Sequence, residues 1–398
     1  MCPGCREATS ARHAPAGRPV IFIGLDGADW KLLDRYMAEG LMPNLAALAR
    51  EGRAGTVTTL HPALSPLVWT TMMTGAGPLE HGILDFTRFN PSTGVKEPIT
   101  SDERRAPAIW NMASAAGKSV AVFGMWATYP AEPVRGLLVS DRLFSFQYGE
   151  KAPPPGIVHP PGREEWARQA LGRAEDAVGF AVLREYLPWL EEAEYREIIA
   201  RPDPYAHAVS ALRRILIETR VYHALAAETI ARDRPQLVVV YIQGTDAIGH
   251  VFAPFAPPRR PGVPAADFER YSRVPEIYFS EVDRLLHDYR KLAEASGAVL
   301  MIASDHGFLW QDGRPSERSS LAAATAGKWH RDEGIYLVWG PGVTPPGPVT
   351  ESATAPDARR SGDRRAPAGS VRQVCSTLLA LLGLPADVHD AAGPLPGV

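Results

Sequence analysis

Three observations on this 398-residue chain predict an α/β fold with a mainly parallel central sheet flanked by helices. Short apolar runs of strand length recur at Val20–Gly24, Gln236–Ile242 and Ala298–Ala303. Helical stretches alternate with them, the pattern of crossover-connected parallel strands. The runs are apolar throughout, as expected of strands buried on both faces.

The elements follow in order. Residues 1–18 are small, polar and interrupted by Pro and Gly, and read as a loose tail. The first strand ends in Leu25-Asp26-Gly27 and feeds a loop. Leu32, Leu33, Tyr36, Met37, Leu45, Leu48 and Ala49 mark helices on either side of Pro43. Thr56–Leu60 reads as a strand, Ser65–Met73 as a helix stopped near Gly75, Ala108–Ala116 as a helix and Lys118–Gly124 as a strand. From about 153 to 233 the signals are helical, over Glu164–Leu171, Ala177–Glu192 and Tyr205–Arg232. Ile335–Trp339 is a further strand. The stretches 253–266 and 343–369 read as loops, and the charged cluster Arg359–Arg365 as solvated. A last helix, Val371–Leu382, stops at Gly383. The expected organisation is a tail (1–18), a core in two segments (19–150 and 234–398) and a helical insertion (151–233) that caps the site. Trp166, Tyr186, Trp189 and Tyr195 in the insertion either roof the site or form the core of the cap, the second being the expectation.

Composition excludes several functions. Lys and Arg total 42 against 45 Asp and Glu, a formal charge of −3. That balance disfavours a nucleic-acid coat or a polybasic membrane binder. Three cysteines cannot build a disulfide framework, and Cys2-Pro3-Gly4-Cys5 has no second pair to complete a metal site. No apolar run approaches the ~18 residues of a membrane span. Without the apolar core of a signal peptide in the first 20 residues, the expected location is the cytoplasm.

The chemistry sits at strand ends. Asp26 follows the first strand, Asp246 and His250 follow the strand at 236–242, and Asp305-His306 follow the strand at 298–303. His330 precedes the strand at 335–339. Parallel α/β sheets gather ligands outside the carboxyl ends of their strands, so these residues are expected at one edge. Asp246 and His250 are spaced i, i+4 and share a helical face. Gly307 permits the turn that lets adjacent Asp305 and His306 face one ion. Mixed carboxylate and imidazole ligation suits Zn²⁺, with Mn²⁺ as a substitute. His81 is expected to fix a loop. Arg88, Trp126, Tyr129, Lys328 and Trp329 lie near these segments. Ser65 precedes Pro66 and reads as an N-cap with Pro at the first helical position. The same position suits a nucleophile, because a helix N-terminus favours a phosphoryl or sulfuryl group. Thr70 and Thr71 fall inside the helix.

Together these residues resemble the alkaline phosphatase superfamily, and within it the type I phosphodiesterase/nucleotide pyrophosphatase branch. The landmarks are Gly24-Leu25-Asp26-Gly27, Pro43-Asn44-Leu45, Ser65-Pro66 with Thr74-Gly75 and His81-Gly82-Ile83, Thr245-Asp246 with Gly249-His250, Ser304-Asp305-His306-Gly307, and His330 before Gly334-Ile335. The resemblance implies that Asp246, His250 and His330 hold one zinc, and that Asp26, Asp305 and His306 hold the other. Ser65 would bridge or face both and form a covalent phosphoserine with a small-molecule phosphate ester. The family usually has Thr as nucleophile followed by Phe-Pro-Asn; here Ser65 is followed by Pro66-Leu67-Val68, so that Asn is absent. Sulfatases need a C/S-x-P-x-R pattern that Leu67 and Trp69 do not match. The expected function is a two-zinc phosphodiesterase. The alternatives are phosphonate hydrolysis, phosphoryl or headgroup transfer on the same residues, and a non-catalytic metal-retaining protein.

Overall fold

The apolar run after Pro19 forms β1 (Val20–Leu25), every residue of which is buried. It lies at the middle of a nine-stranded sheet in a computed structural model describing residues 17–144, 152–203, 206–311, 313–319, 325–345, 365–385 and 393–398. The other strands are β2 (Arg53–Thr58), β3 (Thr87–Asn90), β4 (Val95–Pro98), β5 (Val120–Phe123), β6 (Gly136–Val139), β7 (Val158–His159), β8 (Leu237–Ile242), β9 (Val299–Ala303), β10 (Gly307–Phe308), β11 (His330–Arg331), β12 (Glu333–Trp339) and β13 (Ala366–Ser370). The large sheet runs β13-β2-β12-β9-β1-β8-β5-β6-β7. β1 pairs in parallel with both β8 and β9, while β12 and β7 run antiparallel to their neighbours. The sheet is therefore mainly parallel, as its apolar strands predict.

Alternate residues of the central strands enter two separate cores. Ile21, Ile23, Val238 and Val240 pack under the helices Trp30–Ala38, Pro43–Glu51, Ala208–Asp233 and Val274–Ser296. Val20, Phe22, Leu237 and Val239 pack under Ser65–Thr74, Ile109–Ala115 and Val374–Leu381. All ten residues of Ser65–Thr74 are buried. An all-round apolar helix is stable only when enclosed in this way.

The structure departs from expectation in several places. Segment 151–233 is helical over Glu164–Ala177, Phe180–Tyr186, Glu192–Ile199 and Ala208–Asp233, and it also adds β7 to the sheet edge. The stretch Ala177–Glu192, expected as one helix, is interrupted: Ala177 ends one helix, Phe180–Tyr186 forms a second and Glu192 begins a third. Ala208–Asp233 buries Leu212, Ile215 and Leu216 in the same apolar cluster as the sheet. This helix thus packs as a layer on the sheet. Tyr186 and Tyr195 are core residues, and Trp166 and Trp189 pack against that core. Val274–Ser296 is a 23-residue helix that the loop and strand signals around it do not announce. Ala366–Ser370, expected as loop, pairs with β2 as the edge strand. The tail residues 1–16, with Cys2 and Cys5, and the charged cluster up to Arg364 lie outside the described residues. Among the described residues, no helix is long and apolar enough to cross a membrane.

Candidate metal centre and nucleophile

Asp26 follows the last residue of β1 and is fully buried. Tyr241 on β8 and the Trp69 indole both donate to its Oδ2, the latter at 3.2 Å. Ser65 donates to Oδ1 at 3.5 Å. Gly27 turns the chain at φ 62°, and a Cβ there would meet Asp246 Oδ1 at 3.0 Å, so glycine is needed for both conformation and space. The Gly27 N–H donates to Asp305 Oδ1 at 3.2 Å, which ties the end of β1 to the end of β9. Thr245 donates to the Asp26 carbonyl at 2.6 Å and brings its neighbour Asp246 to the same loop.

The imidazoles share one arrangement. His306 Nδ1 lies 3.0 Å from the Gly307 carbonyl, and His330 Nδ1 lies 2.8 Å from the Ala63 carbonyl. A carbonyl only accepts, so each Nδ1 carries the proton and each Nε2 presents a lone pair. His306 Nε2 is 3.4 Å from Asp26 Oδ1 and 3.3 Å from Asp305 Oδ2. His330 Nε2 is 3.6 Å from Asp246 Oδ1 and 3.1 Å from His250 Nε2. His250 Nε2 is 3.1 Å from Asp246 Oδ2, and its Nδ1 is bonded to Ser319 at 2.6 Å. The His306 and His330 rings stack at 3.7 Å. Pairing of β10 with β11 sets Phe308 opposite His330 and closes the cluster.

All seven residues singled out in the sequence therefore meet in one place. Within the cluster, Asp246, His306 and His330 converge as one group and Asp26, Asp305 and His306 as another, each with ligand atoms within 4.8 Å of one another. Burial raises the Asp26 carboxyl well above its usual range, reinforced by the charges of Asp305 and Asp246. Burial and the Asp246 charge push Asp305 up to about 8. Burial also opposes ionisation of Asp246, but His250, His330 and His306 outweigh it and hold that carboxyl low. His330 is held well below the usual imidazole value by burial and by His306. Among the described residues, no Lys or Arg forms an ion pair with any of the three carboxylates.

This donor set fits divalent cations. Asp246 Oδ1, Asp305 Oδ2 and His306 Nε2 are buried and lack a hydrogen-bond partner. Three facing acceptors without a donor are costly unless a cation sits among them.

Ser65 occupies the first helical position, while Leu64 is the N-cap, which corrects the expected cap. The Ser65 hydroxyl is turned to Asp26 and makes no capping bond. Thr70 and Thr71 are tied to the Pro66 and Leu67 carbonyls of their own helix. His81 bonds Thr71 at 2.9 Å and accepts the Ile83 N–H, so it fixes a loop. Arg88 pairs with Glu97 and Glu103, Lys328 with Glu317, and Tyr129 donates to the Pro155 carbonyl. Trp126 donates to the Tyr241 hydroxyl at 2.7 Å and so supports the donor of Asp26.

Four supporting residues escaped the sequence reading. Trp69 and Tyr241 hold Asp26. Asp29 caps the helix Trp30–Ala38, accepts the Phe308 N–H at 3.2 Å and pairs with Arg331, which fixes the β10–β11 ribbon. An Asp just before a helical run is a readable cap signal. Glu218 is 2% exposed and accepts the N–H groups of Gln243 and Gly244, at the head of the helix that carries Asp246 and His250. Burial pushes its carboxyl up to about 8.

Comparison with known proteins agrees with this architecture. The family model described as type I phosphodiesterase / nucleotide pyrophosphatase matches residues 20–320, a span that stops short of His330. No curated protein matches the chain in sequence. Human ectonucleotide pyrophosphatase/phosphodiesterase 5 is similar in structure at 13% identity and a TM-score of 0.51, covering 94% of this chain and 96% of that one. Wild-type alkaline phosphatase PafA is similar at 11% identity and a TM-score of 0.57, covering 96% and 98%. The chain spans 59% of a phosphonoacetate hydrolase chain from Sinorhizobium meliloti 1021, at 20% identity, 76% coverage of this chain and a TM-score of 0.45. A family match over residues 20–320, most of its length, places the chain in the type I phosphodiesterase / nucleotide pyrophosphatase family, whose members are metal-dependent phosphoric ester hydrolases.

Proposed function

We propose that the protein is a two-zinc phosphodiesterase that acts through a covalent phosphoserine at Ser65 on a small-molecule phosphate ester. The carrying observation is a buried Ser hydroxyl at a helix start, 3.5 Å from Asp26, inside a cluster of three carboxylates and three imidazoles. Asp246, His250 and His330 would hold one ion, and Asp26, Asp305 and His306 the other, beside Ser65. Bound divalent cations lower the pKa of a hydroxyl and offset charge on phosphoryl oxygens.

The chain's own residues supply the rest. The helix Ser65–Thr74 fixes Ser65 rigidly, since all of its residues are packed. Pro66 has no N–H, so the Leu67 N–H and the helix dipole face an incoming phosphoryl group. Ser65 Oγ bonds to phosphorus as the ester bond to the leaving alcohol breaks. The hydroxyl proton, aimed at Asp26 Oδ1 before attack, ends on the departing oxygen, so the group leaves as the neutral alcohol. Water then cleaves the phosphoserine, which returns Ser65 and releases a phosphomonoester. Tyr241 and Trp69 keep Asp26 oriented throughout.

The test compares bis-p-nitrophenyl phosphate with p-nitrophenyl phosphate on zinc-loaded protein. Turnover of the diester well above the monoester is expected. Ser65→Ala should lower the diester rate on the order of 10⁴-fold while bound zinc is unchanged. Acid quench during turnover should leave a phosphoryl group on the Ser65 peptide. Full activity in Ser65→Ala would refute the covalent route. Tight zinc binding without turnover would favour the metal-retaining alternative, and turnover confined to phosphonates would favour that hydrolysis.

A further inference from the structure

A cavity of about 450 Å³ opens beside the cluster, lined by His250, Phe255, Arg260, Arg318, Ser319 and Trp329 among others. Its position relative to Ser65 follows from a chain of contacts. Ser65 touches Asp26, Asp26 touches His306, His306 stacks on His330, and His330 meets His250, which faces the cavity. The cavity thus borders the candidate metal ligands at His250, and Ser65 does not line it. An in-line displacement sets the attacking and leaving oxygens on opposite sides of phosphorus. Given the phosphodiesterase reading on which this inference rests, a cavity beside the ligands that the nucleophile does not line is where the leaving alcohol lies.

The lining states what that alcohol carries. Phe255, part-buried on the cavity wall, offers apolar ring surface, which suits a flat body. Trp329 is 1% exposed and its indole N–H has no partner, so a donor stands ready for an acceptor on the ligand. Arg260 donates to the Pro315 carbonyl and meets no carboxylate among the described residues. Arg318 is exposed and likewise meets none. The acid of the cavity wall, Glu317, is already paired with Lys328 at 3.0 Å. The cavity therefore holds unmatched positive charge next to an apolar ring face. We propose that it is a leaving-group subsite for an alcohol with a flat apolar body and an anionic substituent, recognised by Arg260 and Arg318.

The experiment uses two diesters with the same methyl phosphate and different leaving groups. One leaves p-nitrophenol and the other leaves a nitrophenol bearing a carboxylate. Each is assayed with zinc-loaded wild type, Arg260→Gln, Arg260→Lys and Arg318→Gln. The variant ratios absorb the intrinsic reactivity of the two esters. The wild-type ratio of kcat/KM, carboxylated over neutral, should exceed that of Arg260→Gln by about tenfold, the usual scale of one charge-assisted hydrogen bond. Arg260→Lys should keep part of it, and Arg318→Gln, at an exposed site, should lower it less. Calorimetry with the carboxylated nitrophenol alone should show binding to wild type about tenfold tighter than to Arg260→Gln. Equal ratios in wild type and Arg260→Gln, or equal binding of the free nitrophenol, would overturn the subsite. Absence of hydrolysis of both diesters would instead overturn the phosphodiesterase reading, and the calorimetry would still decide whether the cavity takes an anionic alcohol.

Discussion

The two halves of the cluster use the same chemistry in different surroundings. The side chains of Asp26, Asp305 and His306 are at most 1% exposed. Those of Asp246, His250 and His330 are 10%, 19% and 6% exposed, and His250 lines a cavity. On the closed side, two carboxyls share one imidazole, and burial raises both carboxyls. On the open side, one carboxylate faces three imidazoles and stays ionised. The closed side has protein donors on Asp26 and Asp305 and holds Ser65, the proposed nucleophile; the open side borders a cavity. A fully buried charge must be matched by fixed groups, whereas one that reaches a cavity can be matched in part by water.

That difference can be broken by mutation. Tyr241→Phe removes a fully buried donor to Asp26. We expect a ~10–100-fold loss in zinc affinity on the closed side, the scale seen when a ligand's supporting partner is deleted. Titration with a zinc-competing chelator measures it. Ser319→Ala removes the partner of His250 Nδ1 on the open side. Water can replace that hydroxyl, so the loss should stay below about tenfold. If Ser319→Ala costs as much as Tyr241→Phe, burial does not set the difference.

Glu218→Gln sharpens the comparison through pH. The folded carboxyl is raised to about 8 from an ordinary 4.5. The folded state therefore keeps a proton that the unfolded state loses across that window, and wild type loses stability as pH rises through it. Glutamine resembles the protonated form and escapes the loss. In urea denaturation, the stability of Glu218→Gln relative to wild type should rise from pH 4.5 to 8 and be level outside that window. A flat difference from pH 5 to 9 would show that Glu218 is ionised in the fold.

The clustering of the candidate metal-binding residues was legible because they sit where strand ends put chemistry, and because Asp246 and His250 share a helix turn. Ordered motifs did what single residues could not. Trp69 and Tyr241 were illegible because they reach Asp26 from 43 and 215 residues away, across two different elements. Tyr241 sits mid-pattern in an apolar strand, where an aromatic reads as core. Glu218 reads as the polar position of a helix, and only its approach to Gln243 and Gly244 turns it inward. The helix Val274–Ser296 is absent from the expected elements, although Val274, Tyr278, Val282, Leu285, Leu286, Tyr289 and Ala293 keep a helical period. Its Asp283 also explains the Pro43-Asn44-Leu45 landmark, since the carboxylate accepts the Asn44 and Leu45 N–H groups at 3.1 and 2.8 Å. Ala366–Ser370 has no strand composition, and its pairing comes from the exposed edge of β2.

Anomalous diffraction at the zinc edge, on crystals grown with zinc, tests the account most directly. Two peaks are predicted, one within ligand distance of Asp246, His250 and His330, the other of Asp26, Asp305 and His306 beside Ser65. A single peak, or zinc bound away from these residues, would contradict it.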